Sequence, residues 1–251
     1  ESPGNISNKQ VMDDSFPRSL ATLRSLLKST DSDALLISGD SDVYHLSQFP
    51  CTYGKILLTQ KKIFFITDSR YKLDAENHRW LGKHFELRIQ EKGLPALLNE
   101  LTDSEKIRSC LLDAKEISVL SLQKLKREIP KIKFRPHKTE IDFGRATKDS
   151  REVRKIVIAL RIAEKSFLET LPLIKPGISE KDIRTELEYR FMRNGADDKS
   201  FESIIAAGKN AATPHAHATK RKIRNGEMII MDFGVKKDGY CSDTTRTVHV
   251  G

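Results

Sequence analysis

Residues 228–251 read MIIMDFGVKKDGYCSDTTRTVHVG. The apolar run at 228–231 suits a buried strand, and a polar strand follows over 240–250, after the Gly-bounded stretch 234–239. Asp232 ends the apolar strand, where a solvated charge is out of place, and Asp243 lies on the polar one. A hairpin turning around Lys237-Asp238 sets Asp232 directly opposite Asp243; a turn at Asp238-Gly239, the favoured type I′ pair, makes them diagonal neighbours. Either register puts both carboxylates on one sheet face. Two anions so close repel unless one is protonated or a cation neutralises them. Carboxylate oxygens are hard donors suited to Mn²⁺, Mg²⁺ or a similar divalent ion, and such a site can activate water while polarising a scissile carbonyl. The plainer reading accounts for the spacing equally well: Asp238 and Asp243 are turn residues, and Asp232 caps a strand end.

Upstream of this stretch the pattern is helical. From Ser150, the residues Val153, Val157, Leu160, Glu164 and Phe167 recur at helical spacing, with Ile156 and Ala163 widening the stripe to about Leu171 before Pro172 and Pro176-Gly177 stop it. A second helix starts at Ser179, where a hydroxyl with Asp182 three residues on has the form of a capping box; it buries Ile183, Leu187 and Phe191 and ends at Gly195. SIIAA at 203–207 reads as a strand.

Nearer the amino terminus, Leu20, Leu23 and Leu27 mark a helix face, and ALLIS at 34–38 a buried strand. Residues 56–59 and 63–67 form a hairpin around Gln60-Lys61-Lys62. Helices are expected over 71–77, 94–101 and 119–127, with a short strand at Leu111-Leu112. The sum is an α/β domain. Pro130, Pro136 and the charges between them break the periodicity, which puts a boundary near 136–145. The expected division is a tail over 1–14, a first domain over 15–140 and a second over 141–251.

Bulk properties narrow the function classes. The 251 residues hold 38% apolar and 31% charged side chains, with no apolar run approaching the ~20 residues of a membrane span. The polar start lacks the order of a secretory signal and reads as a mobile tail. Cys51, Cys110 and Cys241 show no zinc or disulfide spacing and read as free thiols, which places the protein in the cytoplasm. The net charge of +9 concentrates at 124–138 (KLKREIPKIKFRPHK) and 220–224 (KRKIR). Neither run is interleaved with stacking aromatics, so both read as solvated faces and a basic linker, and nucleic-acid binding ranks lowest.

Beyond the aspartates, several motifs resemble one family. Asn225-Gly226-Glu227, MDFG, Gly239-Tyr240 and SDTTRT at 242–247 look like the metal-binding signature of the pita-bread peptidases: Xaa-Pro aminopeptidase, prolidase and, more distantly, methionine aminopeptidase. Ser200-Phe201, Ile204, Gly208, Asn210 and Pro214-His215 resemble that family's approach to its substrate-binding histidine, and Gly177, Ser179-Glu180 and Glu186-Leu187-Glu188 continue the match. Tyr44-His45-Leu46 and Thr67-Asp68-Ser69-Arg70-Tyr71 resemble the creatinase-type amino-terminal domain. The fold implied is a creatinase-type α/β domain followed by the first half of an α+β pita-bread domain. The resemblance implies that Asp232 chelates one metal, that Asp243 bridges two, that His215 binds substrate or steadies the tetrahedral intermediate, and that Thr245 holds an aspartate oxygen. Asp68 and Arg70 are expected to fix a turn or a domain contact, and His217 and His249 to be ordinary surface or core residues. The activity implied is hydrolysis next to proline by a homodimer using two divalent ions, Mn²⁺ with Co²⁺ or Zn²⁺ as alternatives, on proline-containing peptides. The family completes its site with one histidine and two glutamates that have no counterpart here. This polypeptide alone is therefore expected to be a truncated form, inactive and weak or lacking in metal binding. The alternative is a non-catalytic pita-bread module that holds peptides or histones.

Overall fold

The computed structural model describes residues 15–138 and 141–251; the expected tail over 1–14 lies outside them. The chain divides into two compact units, Glu1–Lys148 and Asp149–Gly251.

The first unit runs α1 (Ser15–Ser29), β1 (Ala34–Ile37), α2 (Asp40–Ser47), β2 (Lys55–Thr59), β3 (Ile63–Asp68), α3 (Lys72–Asn77), α4 (Arg79–His84), β4 (Glu86–Gln90), α5 (Leu94–Ser104), β5 (Ser109–Asp113), α6 (Val119–Glu128), β6 (Lys133–His137) and α7 (Ile141–Ala146). Its six strands lie in the order β4-β3-β2-β1-β5-β6. Only β2 is antiparallel to its neighbours. Helices cover both faces, which is why the central strands read as unbroken apolar runs. Ala34, Leu36, Leu57, Phe64 and Leu112 pack with Leu97, Leu98 and Leu101 of α5 and Leu125 of α6. Their neighbours in the strands, Leu35, Ile37, Ile56, Phe65 and Leu111, pack with Leu23 and Leu27 of α1, Val43 and Leu46 of α2 and Leu81 of α4. Each fully buried Leu, Ile, Val or Phe among them contributes about 1.5–3 kcal/mol of transfer free energy.

In this unit two strands escape the sequence reading, and both are sheet edges. In β4 all five residues are half-buried and three are charged or amide side chains. In β6, Pro136 pairs with Leu112, at a position where an edge strand tolerates the missing N–H. The basic run at 124–138 is consequently not a linker. It forms the end of α6 and edge strand β6, with Lys131 paired to Asp103 at 2.6 Å and Arg135 donating to the Thr30 carbonyl at the end of α1. The expected boundary region, 136–145, contains the end of β6 and most of α7, and α7 packs on α1 and α2.

The second unit runs α8 (Ser150–Thr170), α9 (Glu180–Arg193), β7 (Asp198–Lys199), β8 (Ile204–Ala207), β9 (Met228–Phe233), β10 (Val235–Lys237), β11 (Tyr240–Cys241) and β12 (Thr244–His249). Both long helices begin with complete capping boxes, Asp149 with Glu152 and Ser179 with Asp182, and α9 stops at Gly195 with φ +94°. Strands β12-β9-β8 form one antiparallel sheet and β11-β10-β7 another. Ile229, Met231 and Phe233 of β9 pack with Ala159, Ala163 and Phe167 of α8 and with Ile183, Leu187 and Phe191 of α9. Phe233 stacks between Phe167 and Phe191, with ring centroids 5.5 and 6.2 Å away.

The α8 stripe is rotated from the expected one. Val153 and Val157 are exposed, and the buried face is Glu152, Ala159, Ala163, Ser166, Phe167 and Thr170. Hydrogen bonds make this polar face burial-compatible: Glu152 accepts from the Tyr240 hydroxyl at 2.9 Å, and Ser166 accepts from Asn194 at 3.0 Å.

Candidate functional site

The hairpin carrying the two aspartates turns at Asp238-Gly239, both at positive φ (47° and 77°), with Lys237 paired to Tyr240. This is the diagonal register of the two expected. Asp197 secures the turn, accepting from Lys237 Nζ at 2.8 Å and from the Asp238 N–H at 2.7 Å, and these donors hold its carboxyl below the ordinary range.

The polar strand expected as continuous over 240–250 is broken at Ser242-Asp243. Gly234 stands opposite the break. A Cβ at Gly234 would lie 2.0 Å from the Ser242 carbonyl oxygen, so only glycine permits this approach. That carbonyl accepts from Ser200 Oγ at 2.7 Å, and Ser242 Oγ takes the Val235 N–H at 3.0 Å. The offset is the same on both sides of the break, Lys236 with Cys241 and Phe233 with Thr244, so no residue is looped out.

Asp232 lies inside β9, flanked by Ile204 of β8 and Thr245 of β12. Asp243 precedes β12 at the register position opposite Gly234, diagonal to Asp232. Alternation along β9 explains the pair's setting: Met231 and Phe233 go to the core, and Asp232 takes the open face. Asp232 is half-buried and Asp243 exposed. Thr245 Oγ1 donates to Asp232 Oδ1 at 2.8 Å, which is the contact expected of that threonine. Among the described residues neither carboxylate is paired with a Lys or Arg. The donor set fits a hard divalent cation in type, with one threonine-steadied carboxylate on β9 and a second carboxylate at the break before β12. Among the described residues no group of three His, Cys, Asp or Glu side chains converges.

His215 stands apart from this ladder. It follows the 3-10 turn Gly208–Ala212, which packs against β8 and β9, and its ring is exposed. Sequence reasoning missed how this segment is held. The carboxylate of Glu180, the first residue of α9, is fully buried and accepts four hydrogen bonds: from the Ala207 N–H (2.8 Å), Asn210 Nδ2 (3.0 Å), the Thr219 N–H (3.0 Å) and Thr219 Oγ1 (2.7 Å). Burial opposes its charge, but the donors prevail and keep its carboxyl below the usual range. His217 and His249 are exposed. In the first unit, Asp68 accepts from the backbone and guanidinium of Arg70, fixing the turn after β3.

The model of the Creatinase/Prolidase N-terminal domain matches residues 20–147, and that of metallopeptidase family M24 matches residues 154–251. The chain belongs to the creatinase/prolidase family. The first unit is its creatinase-type amino-terminal domain and the second a partial pita-bread domain. An uncharacterized peptidase of Bacillus subtilis is 31% identical over 92% of this chain and 65% of its own length. The Xaa-Pro dipeptidase of Bacillus anthracis superposes with a TM-score of 0.86 at 28% identity, over 94% of this chain and 65% of that one. The X-Pro aminopeptidase of Thermotoga maritima gives 0.82 at 31% identity, over 88% and 63%. The chain thus spans just under two thirds of these relatives.

Proposed function

We propose that the full-length protein containing this sequence is a metal-dependent peptidase cleaving Xaa-Pro bonds, of the aminopeptidase P or prolidase type. The observation that carries the reading is the unpaired Asp232–Asp243 juxtaposition in a family of metallopeptidases. Asp232 and Asp243 would hold two divalent cations, Mn²⁺ with Co²⁺ or Zn²⁺ as alternatives. Bound there, the ions would supply Lewis acidity toward a scissile carbonyl and an attacking water.

The chain's own residues prepare this site. Thr245 orients the Asp232 carboxylate by occupying Oδ1, leaving the other oxygen to a cation. Gly234 lets the strand break and fixes where Asp243 emerges. His215 would donate to the substrate or to the oxyanion that develops during attack. With two carboxylates and no third convergent ligand among the described residues, the 251-residue polypeptide by itself is expected to give no turnover.

A cytoplasmic location and a homodimer complete the proposal. The three unpaired cysteines support the first, and sedimentation of the native protein checks the second. The test of function is hydrolysis by the full-length protein with added Mn²⁺ or Co²⁺, on an Xaa-Pro dipeptide and on a longer peptide with proline second. Cleavage of either at the proline bond is expected, and the preferred length tells prolidase from aminopeptidase P. Absence of cleavage with both metals, together with metal-independent peptide binding, would point to a non-catalytic module instead.

A further inference from the structure

His215 lies on an exposed segment between β8 and the bridge that Lys222 makes with Ser179, and among the described residues no element of regular structure holds it. We infer that Glu180 is the positioning residue of this segment, an internal peg whose single carboxylate ties down both of its ends. The inference rests on the proposed role of His215.

Glu180 is a fully buried carboxylate whose four donors come from no residue of its own helix. One donor, the Ala207 N–H, precedes the 3-10 turn Gly208–Ala212; two come from Thr219, after His215; and Asn210 lies between. Asn210 also donates to the His217 carbonyl at 3.3 Å, carrying the tie into the centre of the segment. The backbone of Glu180 is itself fixed, because Ser179 bridges Lys222 and the Lys181 N–H donates to the Thr219 carbonyl at 2.9 Å.

Charge is needed here as well as shape. All four partners are donors, and an ionised carboxylate is acceptor-only, so every bond is satisfied at once. A glutamine in the same place would turn an amide NH₂ toward donors and leave at least one of them unpaired in the interior. Glu180 touches neither metal-site aspartate in the β9–β12 ladder, so loss of its charge acts on the His215 segment and spares the metal ligands.

The test uses the full-length native protein with Glu180→Gln, His215→Ala and the double substitution. Glu180→Gln is expected to speed hydrogen exchange of backbone amides over 208–219 about tenfold or more while the amides of β9 stay protected. It should lower kcat/KM on an Xaa-Pro peptide by about 10–100-fold, add nothing further to His215→Ala, and leave Mn²⁺ affinity within about twofold. Unchanged exchange over 208–219 overturns the assignment, and so, where His215→Ala itself lowers kcat/KM, does full additivity of the two substitutions. If Glu180→Gln does not fold, Thr219→Val removes one of the four donors and should give the same pattern at smaller amplitude, with the same overturning results. If His215→Ala alone leaves kcat/KM untouched, the reading of His215 fails. Faster exchange over 208–219 in Glu180→Gln would then still uphold the peg, and unchanged exchange would overturn it.

Discussion

Gly234 carries no chemistry, yet the position of Asp243 depends on it. The Ser242 carbonyl occupies the space where any side chain would begin, 2.0 Å from the Cβ position, and backbone cannot give way as a flexible side chain does. Gly234→Ala is expected to cost about 2–3 kcal/mol in urea-induced unfolding. Thr245→Val, which removes only the hydroxyl on Asp232, should leave stability near wild type and weaken Mn²⁺ binding to the full-length protein about tenfold, read by calorimetry. Asp232 stood out in the sequence because a charge closing an apolar run contradicts its surroundings, and the hairpin register placed Asp243 diagonal to it. Glu180 did not. An acidic residue in the first turn of a helix looks like an ordinary partner of the helix dipole, and its four donors arrive from positions 27 to 39 residues away.

Local periodicity located most of the elements. The hairpin of β2 and β3, helices α1, α5, α6 and α9 and strands β5, β8 and β9 lie where apolar spacing put them. The misreadings share a cause, which is burial decided by distant partners. Edge strands β4 and β6 bury too little for an apolar signal, and α8 turns a polar stripe inward because Tyr240 and Asn194 satisfy it. The junction between α9 and the His215 segment also makes stability pH-dependent. The folded-state pKa of Glu180 lies below its unfolded value of about 4.3, so its contribution is complete above that pH and is lost as pH falls through the folded value. The gap in unfolding free energy between wild type and Glu180→Gln should therefore stay constant from neutral pH down to about 5 and close below about 4. A gap that widened toward acid would show that Glu180 is not ionised in the folded protein.

At the scale of the molecule, the first unit is an α/β layer structure, with a six-stranded sheet covered on both faces. In the second, helices α8 and α9 cover one face of the β12-β9-β8 sheet. Met228 is 48% exposed on the other face, where Asp232 also lies, and among the described residues no strand pairs with the outer edge of β12. Asp232 thus lies on the uncovered face of β9, the face that the proposed function makes a metal site. Calorimetric titration of Mn²⁺ into the full-length native protein, compared with Asp243→Asn, tests that claim most directly. The expected result is clear binding by the wild type and a loss of affinity of more than about 100-fold in the variant, since a ligand matters more than the outer contacts that cost 10–100-fold. Equal Mn²⁺ affinity in the two proteins would contradict it.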